Sequence, residues 1–369
     1  MGYDAGSADC ASGRGPHLPV DDSKLPVAVI GCGAVAAGHY LLALAASRRF
    51  ASALLVDRDL ARARALANRW GVTAVAADAD AMAGRAAAAV VALPNHLHAP
   101  VAIDLLGRGV HVLVEKPMAT TVAECDAMLA AAQEGQAILG VGLQFRFFDS
   151  TLWVRDLLAA GLLGELERFE LRLGVVSNWP FASDYFLRRE TAGGGVLVDY
   201  GVHVLDLLLF WLGELTVERC RHDGMGGVES DCELELATAA GLSGAVEISR
   251  SRNLGNTCLF TGARASLEVG IWDPDPPVVL HRAGGERVLA GRVRRPGEPG
   301  LDFNGAFLRS LDDFGAAIGA GRAPVVTGED GRRAVALIEA CYAAAEPLEL
   351  PWLRPARPAR PARLAGGEG

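Results

Sequence analysis

The feature that most limits the fold of this chain is an apolar segment that runs directly into two closely spaced glycines. Leu25 to Ile30 is typical of a strand buried in a parallel sheet. Gly31-Cys32-Gly33-Ala34-Val35-Ala36 follows at once and opens an Ala/Leu-rich helix that runs to about Ala46. In this pattern the first glycine permits a tight turn, the second lets a pyrophosphate approach the backbone, and the small third residue lets helix pack on strand. We predict a phosphate-binding turn made by Gly31, Gly33, Ala34 and Val35, which present the helix N-terminus to phosphates.

A carboxylate follows the second predicted strand. Ala53 to Val56 ends in Asp57, 26 positions after Gly31. An acid at this spacing can accept hydrogen bonds from both ribose hydroxyls of NAD and would repel the 2′-phosphate of NADP. Arg58, the next residue, can weaken that repulsion. The sequence therefore favours NAD over NADP without excluding NADP.

Strands and helices alternate over the first 120 or so residues after Leu25, which predicts a doubly wound parallel sheet. The later elements are helix Leu60–Trp70, strand Val72–Val75, helix Asp78–Gly84, strand Ala88–Leu93, a helix through Gly107, strand Val110–Val114, helix Thr121–Glu134 and strand Ala137–Gly142.

Two of these strands end in residues suited to ligand binding. The fourth stops at Pro94-Asn95, where Asn95 can cap the next helix and His98 lies in its first turn, as either a cofactor contact or a packing residue. The fifth ends in Glu115-Lys116-Pro117, and proline stops it there. Lys116 then lies at the carboxyl end of a strand, where open α/β sheets bind ligands, although a surface lysine is the simpler interpretation of these residues alone.

The pattern changes after Gln144-Phe145-Arg146-Phe147. Leu166 to Val176 alternates like an amphipathic strand, a long helix follows, and strand-like runs recur at about 220–290, which predicts an antiparallel sheet. Helices 303–318 and 329–345 complete this α+β part. We predict a disordered lead (1–24), a dinucleotide-binding Rossmann domain (25–146), an α+β substrate and oligomerisation domain (147–350) and a disordered Pro/Ala/Arg-rich tail (351–369).

Composition excludes several classes of protein. The formal net charge of −9 argues against a nucleic-acid partner, and no uncharged apolar run reaches membrane-spanning length. The seven cysteines include no C-x-x-C pair, so neither a disulfide framework nor a metal site is predicted. The first two dozen residues lack the pattern of a signal peptide. We expect a soluble, cytoplasmic protein.

A second group of polar residues opens the long helix of the second half. Gly193-Gly194-Gly195 precedes Asp199, His203 and Asp206, whose spacing places them on one helix face. The rest of this helix is apolar almost all round, so it should be buried, and a buried carboxylate or imidazole is costly unless it is paired or used. A structural Asp–His pair is the alternative. The three glycines would let another molecule approach the backbone.

Together these motifs resemble the Gfo/Idh/MocA oxidoreductases, which include inositol and sugar dehydrogenases. The resemblance rests on Gly31-x-Gly33-x-x-Ala36-x-x-His39, Pro94-Asn95-x-x-His98, Glu115-Lys116-Pro117 and the segment from Gly193 to Asp206. It implies a Rossmann domain, a second domain whose sheet packs against the nicotinamide and forms a homodimer or homotetramer, and a cis Lys116-Pro117 bond. It also implies catalytic roles for Lys116 and His203, with Asp199 as companion of the histidine or as a substrate ligand. Ala36 and Gln144-Phe145-Arg146 depart from the usual motifs.

The predicted function is an NAD(P)-dependent interconversion of a secondary alcohol and a ketone on a sugar, cyclitol or nucleotide-linked sugar. The predicted cofactor contacts are Gly31, Gly33, Ala34, Val35, Asp57, Arg58, Pro94, Asn95, His98, Glu115, Lys116 and Gln144. The predicted substrate contacts are Lys116, Arg146, Asn178, Tyr185, Asp199 and His203. Two alternatives remain open: a redox-neutral elimination that uses bound NAD, as in the family's NAD-dependent glycosidases, and a non-enzymatic NAD or sugar sensor. The presence of Lys116, Asp199 and His203 argues against the sensor.

Overall fold

The computed structural model describes residues 24–176, 184–273, 276–290 and 301–349. Asn178, a predicted substrate contact, lies outside the described residues, as do residues 1–23 of the predicted lead and the whole predicted tail. The described part of the chain contains two sheets, one of six strands and one of nine.

The first sheet is parallel throughout and has the order β3-β2-β1-β4-β5-β6. Its strands are β1 (Leu25–Ile30), β2 (Phe50–Val56), β3 (Val75–Ala76), β4 (Ala88–Val91), β5 (His111–Glu115) and β6 (Leu139–Gly142). The helices between them are α1 (Leu41–Ala46), α2 (Leu60–Trp70), α3 (His98–Gly107) and α4 (Val122–Glu134). This is the predicted doubly wound sheet, and its strand order reverses between β1 and β4.

Three of its elements differ from their predictions. The third strand was expected at 72–75 but is the two-residue edge strand β3, because Gly71 ends α2 in the left-handed region (φ 72°) and residues 72–74 only lead the chain back to the sheet. The helix expected at 78–84 is a single 3-10 turn, Ala79–Met82. The first helix begins with a π-turn, Ala36–Tyr40, before α1.

The second sheet is mostly antiparallel, as predicted, with the order β14-β13-β12-β11-β7-β10-β9-β8-β15. Its strands are β7 (Leu166–Gly174), β8 (Leu215–His222), β9 (Asp231–Thr238), β10 (Ser243–Ser249), β11 (Thr257–Gly262), β12 (Ala265–Gly270), β13 (Val278–Arg282), β14 (Arg287–Ala290) and β15 (Ala345–Pro347). The β7–β10 and β8–β15 pairs are parallel. The remaining helices are α5 (Asp149–Ala159), α6 (Arg189–Ala192), α7 (Val202–Leu212), α8 (Phe303–Ala320) and α9 (Gly328–Ala343).

The helices of the second half join the two sheets into one structure. Helix α7 is buried over most of its length, as its apolar sequence predicted. The stretch Arg189–Leu212 is long and apolar enough to cross a membrane, but 72% of its most apolar window lies inside the fold, as in the core helix of a globular protein. Helix α8, assigned by chain order to the second domain, packs Phe307, Leu311 and Phe314 into the core beneath β1.

Candidate active site

A cleft of about 470 Å³ opens at the carboxyl ends of β1, β2, β4 and β5. The glycine-rich turn forms one wall. Gly31 has φ 95°, and a Cβ there would lie 2.2 Å from the Ala92 carbonyl oxygen, so only glycine fits. A Cβ at Gly33 would meet nothing within 4 Å, and Ala34 and Val35 line the same wall. The turn therefore leaves open space beside its backbone, as the sequence predicted.

Asp57 lies beside this turn, at the carboxyl end of β2. Its Oδ2 accepts a hydrogen bond from the Cys32 amide (2.9 Å), and its Oδ1 accepts one from the Asp59 amide (2.8 Å). Arg62, in the first turn of α2, places a guanidinium nitrogen 3.5 Å from Asp57. Arg58 and Arg62 both line the cleft. Sequence reasoning identified Asp57 and Arg58 but missed Arg62, which the spacing of one helical turn after the strand end could have suggested.

Lys116 extends into the same cleft from the end of β5. Its Nζ donates to Asp199 Oδ1 (2.8 Å) and to the Asp199 carbonyl oxygen (3.0 Å). Burial opposes the ammonium charge, but Asp199 outweighs it and raises the pKa of Lys116 above its usual value. Lys116 is therefore cationic at neutral pH. The Lys116-Pro117 bond is cis, as the resemblance implied.

Glu115, the residue before Lys116, contacts the lysine backbone through its carboxylate. It is 5% exposed and lines the cleft, and its Oε2 accepts a hydrogen bond from the Lys116 amide (3.0 Å). Its Oε1 accepts one from the hydroxyl of Tyr40 (2.7 Å). Burial raises the pKa of Glu115. Tyr40, at the end of the π-turn, was not identified from the sequence, because it is 75 residues away from Glu115 in the chain.

His203, on α7, is not among the residues that line the cleft, but it lies close enough to Lys116 to be affected by its charge. Its ring stacks on Phe145, with centroids 4.2 Å apart, and is 5% exposed. Burial, and second the charge of Lys116, hold the pKa of His203 well below its usual value, so the imidazole is neutral at pH 7. The Nδ1 atom is buried without a hydrogen-bond partner among the described residues. Among the described residues no hydrogen bond joins Asp199 to His203, and the Asp199 carboxylate bonds Lys116 instead of the imidazole that the resemblance suggested.

The prediction that Arg146 contacts substrate is not supported. Arg146 is 3% exposed, and its guanidinium forms two bonds to Asp206 (2.6 and 2.8 Å) and an ion pair with Asp330 (3.1 Å). Every nitrogen of the side chain is thus used inside the protein. Asp206 faces this ion pair while Asp199 faces the cleft, because a π-turn, Leu197–Gly201, precedes α7 and breaks the predicted single face.

Of three other predicted cofactor contacts, Asn95 lines the cleft, whereas His98 and Gln144 do not. His98 is fully buried, with its two ring nitrogens 2.8 Å from the carbonyl oxygens of Pro117 and Leu93, so the packing interpretation holds. Asn95 lines the cleft beside Pro94 but does not cap α3, because it lies in a 3-10 turn, Asn95–Leu97, and Leu97 holds the N-cap position. Its side-chain amide donates to the Ala192 carbonyl oxygen (2.8 Å). Gln144 is 4% exposed, and its Oε1 is buried without a partner among the described residues.

The second half of the chain closes the cleft opposite the glycine turn. Asp199 and Tyr185 line it, as predicted for substrate contacts, and so does Phe186, which sequence reasoning missed. The rings of Tyr185 and Phe186 lie 3.9 Å apart. Burial and the nearby Asp199 and Glu115 raise the pKa of Tyr185, so its hydroxyl stays protonated. The cleft is thus bounded by both halves of the protein.

The residues of the cleft fit a dinucleotide. The open side of Gly33 leaves room for a pyrophosphate at a helix N-terminus, and the Asp57 carboxylate can accept ribose hydroxyls. Among the described residues no group of three or more His, Cys, Asp or Glu side chains could hold a metal ion.

The cleft lies at the edge of a Rossmann sheet, is closed by a mostly antiparallel sheet domain and carries a lysine at its floor. These features define a two-domain, dinucleotide-binding oxidoreductase. Comparison with family models agrees: residues 25–143 match the oxidoreductase family with NAD-binding Rossmann fold, and residues 151–268 match the GFO/IDH/MocA C-terminal domain. The chain belongs to the Gfo/Idh/MocA family.

Several relatives are named as oxidoreductases of sugars or nucleotide-linked sugars. The chain is 37% identical over 186 residues (50% of this chain, 51% of the relative) to a putative UDP-kanosamine synthase oxidoreductase subunit of Amycolatopsis mediterranei (strain S699). It is 32% identical over 196 residues (52% and 55%) to D-glucoside 3-dehydrogenase of Escherichia coli (strain K12). These matches span about half the length of each relative. A 3-ketoreductase from Actinomadura kijaniata, solved with NADP and TDP-benzene, has a TM-score of 0.77 at 25% identity and covers 89% of this chain and 100% of its own.

Proposed function

We propose that this protein uses NAD to interconvert a secondary alcohol and a ketone on the ring of a sugar, either free, glycosidic or nucleotide-linked. The observation that carries the proposal is the position of Lys116: its ammonium is fixed by Asp199 at the floor of a cleft whose far wall is a phosphate-binding turn. The sugar substrates of the relatives support the class of substrate.

In this proposal, the nicotinamide supplies or accepts the hydride, and the protein handles one proton. Lys116 donates a hydrogen bond to the reacting oxygen and stabilises the negative charge that develops there. His203 is the candidate acceptor for the hydroxyl proton, because its imidazole is neutral at pH 7 and its Nδ1 atom has no hydrogen-bond partner among the described residues. Asp199 holds the ammonium in place through its bond to Nζ.

The direct test is a spectrophotometric screen for NADH formation with glucosides, free sugars, nucleotide sugars and inositols. We expect NADH to form with at least one pyranose substrate and to require added NAD. Conversion of a sugar without added cofactor, by protein that retains NAD, would instead support the redox-neutral elimination. Binding of NAD without conversion of any sugar would support the sensor.

We propose NAD as the preferred cofactor because Asp57 lies where a 2′-phosphate would have to fit. Replacing Asp57 by asparagine should weaken NAD binding about 10-fold to 100-fold, since it removes charge-assisted hydrogen bonds of about 1.5–3 kcal/mol. It should also improve NADP binding, because Arg58 and Arg62 remain. Calorimetric titration with both cofactors checks this, with Asp104→Asn, an exposed carboxylate on α3 away from the cleft, as the control. Unchanged selectivity in Asp57→Asn would contradict it.

We further propose that the open face of the second sheet joins two copies of the chain. Charged side chains of both signs lie on this face and are between 24% and 61% exposed. One row carries Arg172, Glu247, Glu233 and Arg221 on neighbouring strands. A two-fold axis can place each arginine opposite a glutamate, which makes the face self-complementary.

Sedimentation velocity tests this interface. We expect the wild-type protein to sediment as a dimer or tetramer and Arg221→Glu to shift it toward monomer, because like charges would then oppose one another. Arg322→Glu, remote from the sheet, is the control. A wild-type monomer would overturn the proposal.

We also propose a cytoplasmic location. The six cysteines in the described ranges are all free and buried, which fits a reducing compartment.

A further inference from the structure

A buried carboxylate outside the cleft holds the start of the segment that carries Asp199 and His203. Glu229, in the loop between β8 and β9, is 0% exposed. Its Oε1 accepts hydrogen bonds from the amides of Gly195 and Leu197, both at 2.9 Å. Its carbonyl oxygen accepts one from the Val196 amide at 2.9 Å. Glu229 therefore accepts hydrogen bonds from the backbone amides of three successive residues.

Two of the three glycines leave room for Glu229 and for a tyrosine from α9. A Cβ at Gly195 would lie 2.0 Å from the Glu229 carbonyl oxygen, and a Cβ at Gly194 would lie 1.9 Å from the Tyr342 hydroxyl. That hydroxyl also donates to Glu229 Oε1 (2.8 Å). The sequence suggested that these glycines let another molecule approach the backbone. The groups that approach belong to the chain itself.

The position of these amides matters because they begin the helical segment of the site. Free amides at a helix start carry partial positive charge, and a carboxylate satisfies both their hydrogen-bonding capacity and that charge. The Asp199 amide bonds back to the Gly195 carbonyl oxygen (3.0 Å), so Asp199 lies one turn beyond the clamped residues. If the start of this segment moved, Asp199 would therefore move with it. Asp199 accepts hydrogen bonds from Lys116 Nζ through both its carboxylate and its carbonyl oxygen.

We propose that Glu229 is a positioning residue for the reaction: it clamps the amides of residues 195–197 and thereby fixes Asp199 against Lys116. This inference rests on the proposed oxidoreductase function. The second oxygen, Oε2, has no hydrogen-bond partner among the described residues, so Oε1 makes the clamp. Glutamine would keep an acceptor oxygen of the same reach, whereas alanine would remove it.

The test compares Glu229→Ala, Glu229→Gln and Tyr342→Phe with Glu286→Ala, an exposed control. We expect kcat to fall about 30-fold to 100-fold in Glu229→Ala, because misplacement by about 1 Å can cost that much, while KM for NAD changes less than about threefold. Glu229→Gln should recover most of the loss. Tyr342→Phe should lower kcat several-fold. If Glu229→Ala does not fold, an unchanged kcat in Tyr342→Phe would overturn the proposal.

A second readout does not depend on turnover. The chain has two lysines, Lys24 and Lys116, so a Lys24→Arg background labelled with ¹³C-lysine gives one side-chain NMR signal, from Lys116. Its pH titration reports the pKa of Lys116, which Asp199 raises. We expect Glu229→Ala to lower that pKa and Glu229→Gln to leave it close to the parent value.

The two readouts separate the proposals. If no sugar is converted by the wild-type protein, the proposed function fails, and the Lys116 titration still decides the role of Glu229. A folded Glu229→Ala protein with parental kcat and a parental Lys116 pKa would overturn the clamp. So would a variant that lowers only the melting temperature, because that outcome indicates a purely structural carboxylate.

Discussion

Replacing Lys116 by methionine is expected to lower turnover by about 10²-fold to 10⁴-fold, the usual contribution of a positioned proton-handling group. Methionine keeps most of the apolar stem and removes the ammonium that would contact the reacting oxygen. Asp199, its partner, is 29% exposed and can be hydrated when its cation is lost, so the fold should survive. Binding of NAD should change little, because the phosphate turn and Asp57 are untouched.

The measurement is steady-state turnover together with NAD titration of the same preparation. Lys24→Met is the matched control, since Lys24 is the other lysine and bonds the Ser47 carbonyl oxygen away from the cleft. A wild-type kcat in Lys116→Met would remove the lysine from the mechanism. A loss of NAD binding that equals the loss of turnover would assign Lys116 to cofactor binding instead.

Replacing Arg146 by methionine is expected to lower the free energy of unfolding by about 3–5 kcal/mol, as for other buried ion pairs that lose one partner. Asp206 is 1% exposed and would be left as an uncompensated buried carboxylate. Burial raises the pKa of Asp206 to about 6, above its usual 3.8, although Arg146 opposes the shift. The native carboxyl therefore takes up a proton below about pH 6, and the loss should be smaller at pH 5 than at pH 7.5.

Chemical denaturation of wild-type and variant proteins at both pH values measures this effect. Arg155→Met is the control, because the ion pair of Arg155 with Asp156 is exposed (47% and 59%) and should be worth about 0–1 kcal/mol. Equal losses in the two variants, or a loss that does not depend on pH, would show that Arg146 does not compensate a buried charge.

The first half of the fold was predictable because its signals are local. The glycines of the phosphate turn, the acid at the end of β2 and the proline after Lys116 each act within a few residues, through backbone sterics and strand ends. The predicted strand β1 and helix α2 match the structure residue for residue. The short edge strand β3 was misplaced, because its few small residues carry little periodicity.

The candidate site was only partly predictable. Lys116, Asp199 and His203 could be named from motif spacing, but the pairing of Asp199 with Lys116 rather than with His203 could not. A π-turn at Leu197–Gly201 shifts the helix register, and single-sequence periodicity assumes a regular helix. Spacing likewise gave no reason to separate Asp206, which pairs with Arg146, from the residues of the cleft.

The sequence by itself determined the two-part architecture, the glycine-rich turn, the acid at the end of β2 and the lysine at the end of β5, because each depends on residues close together in the chain. Only the tertiary structure decided which polar groups bond to one another and which are buried. It buried Arg146 and His98, and it placed Glu229 against Gly195, 34 residues away. Burial, and hydrogen bonds between residues so far apart in the chain, depend on how the two sheets pack. That packing cannot be derived from local periodicity.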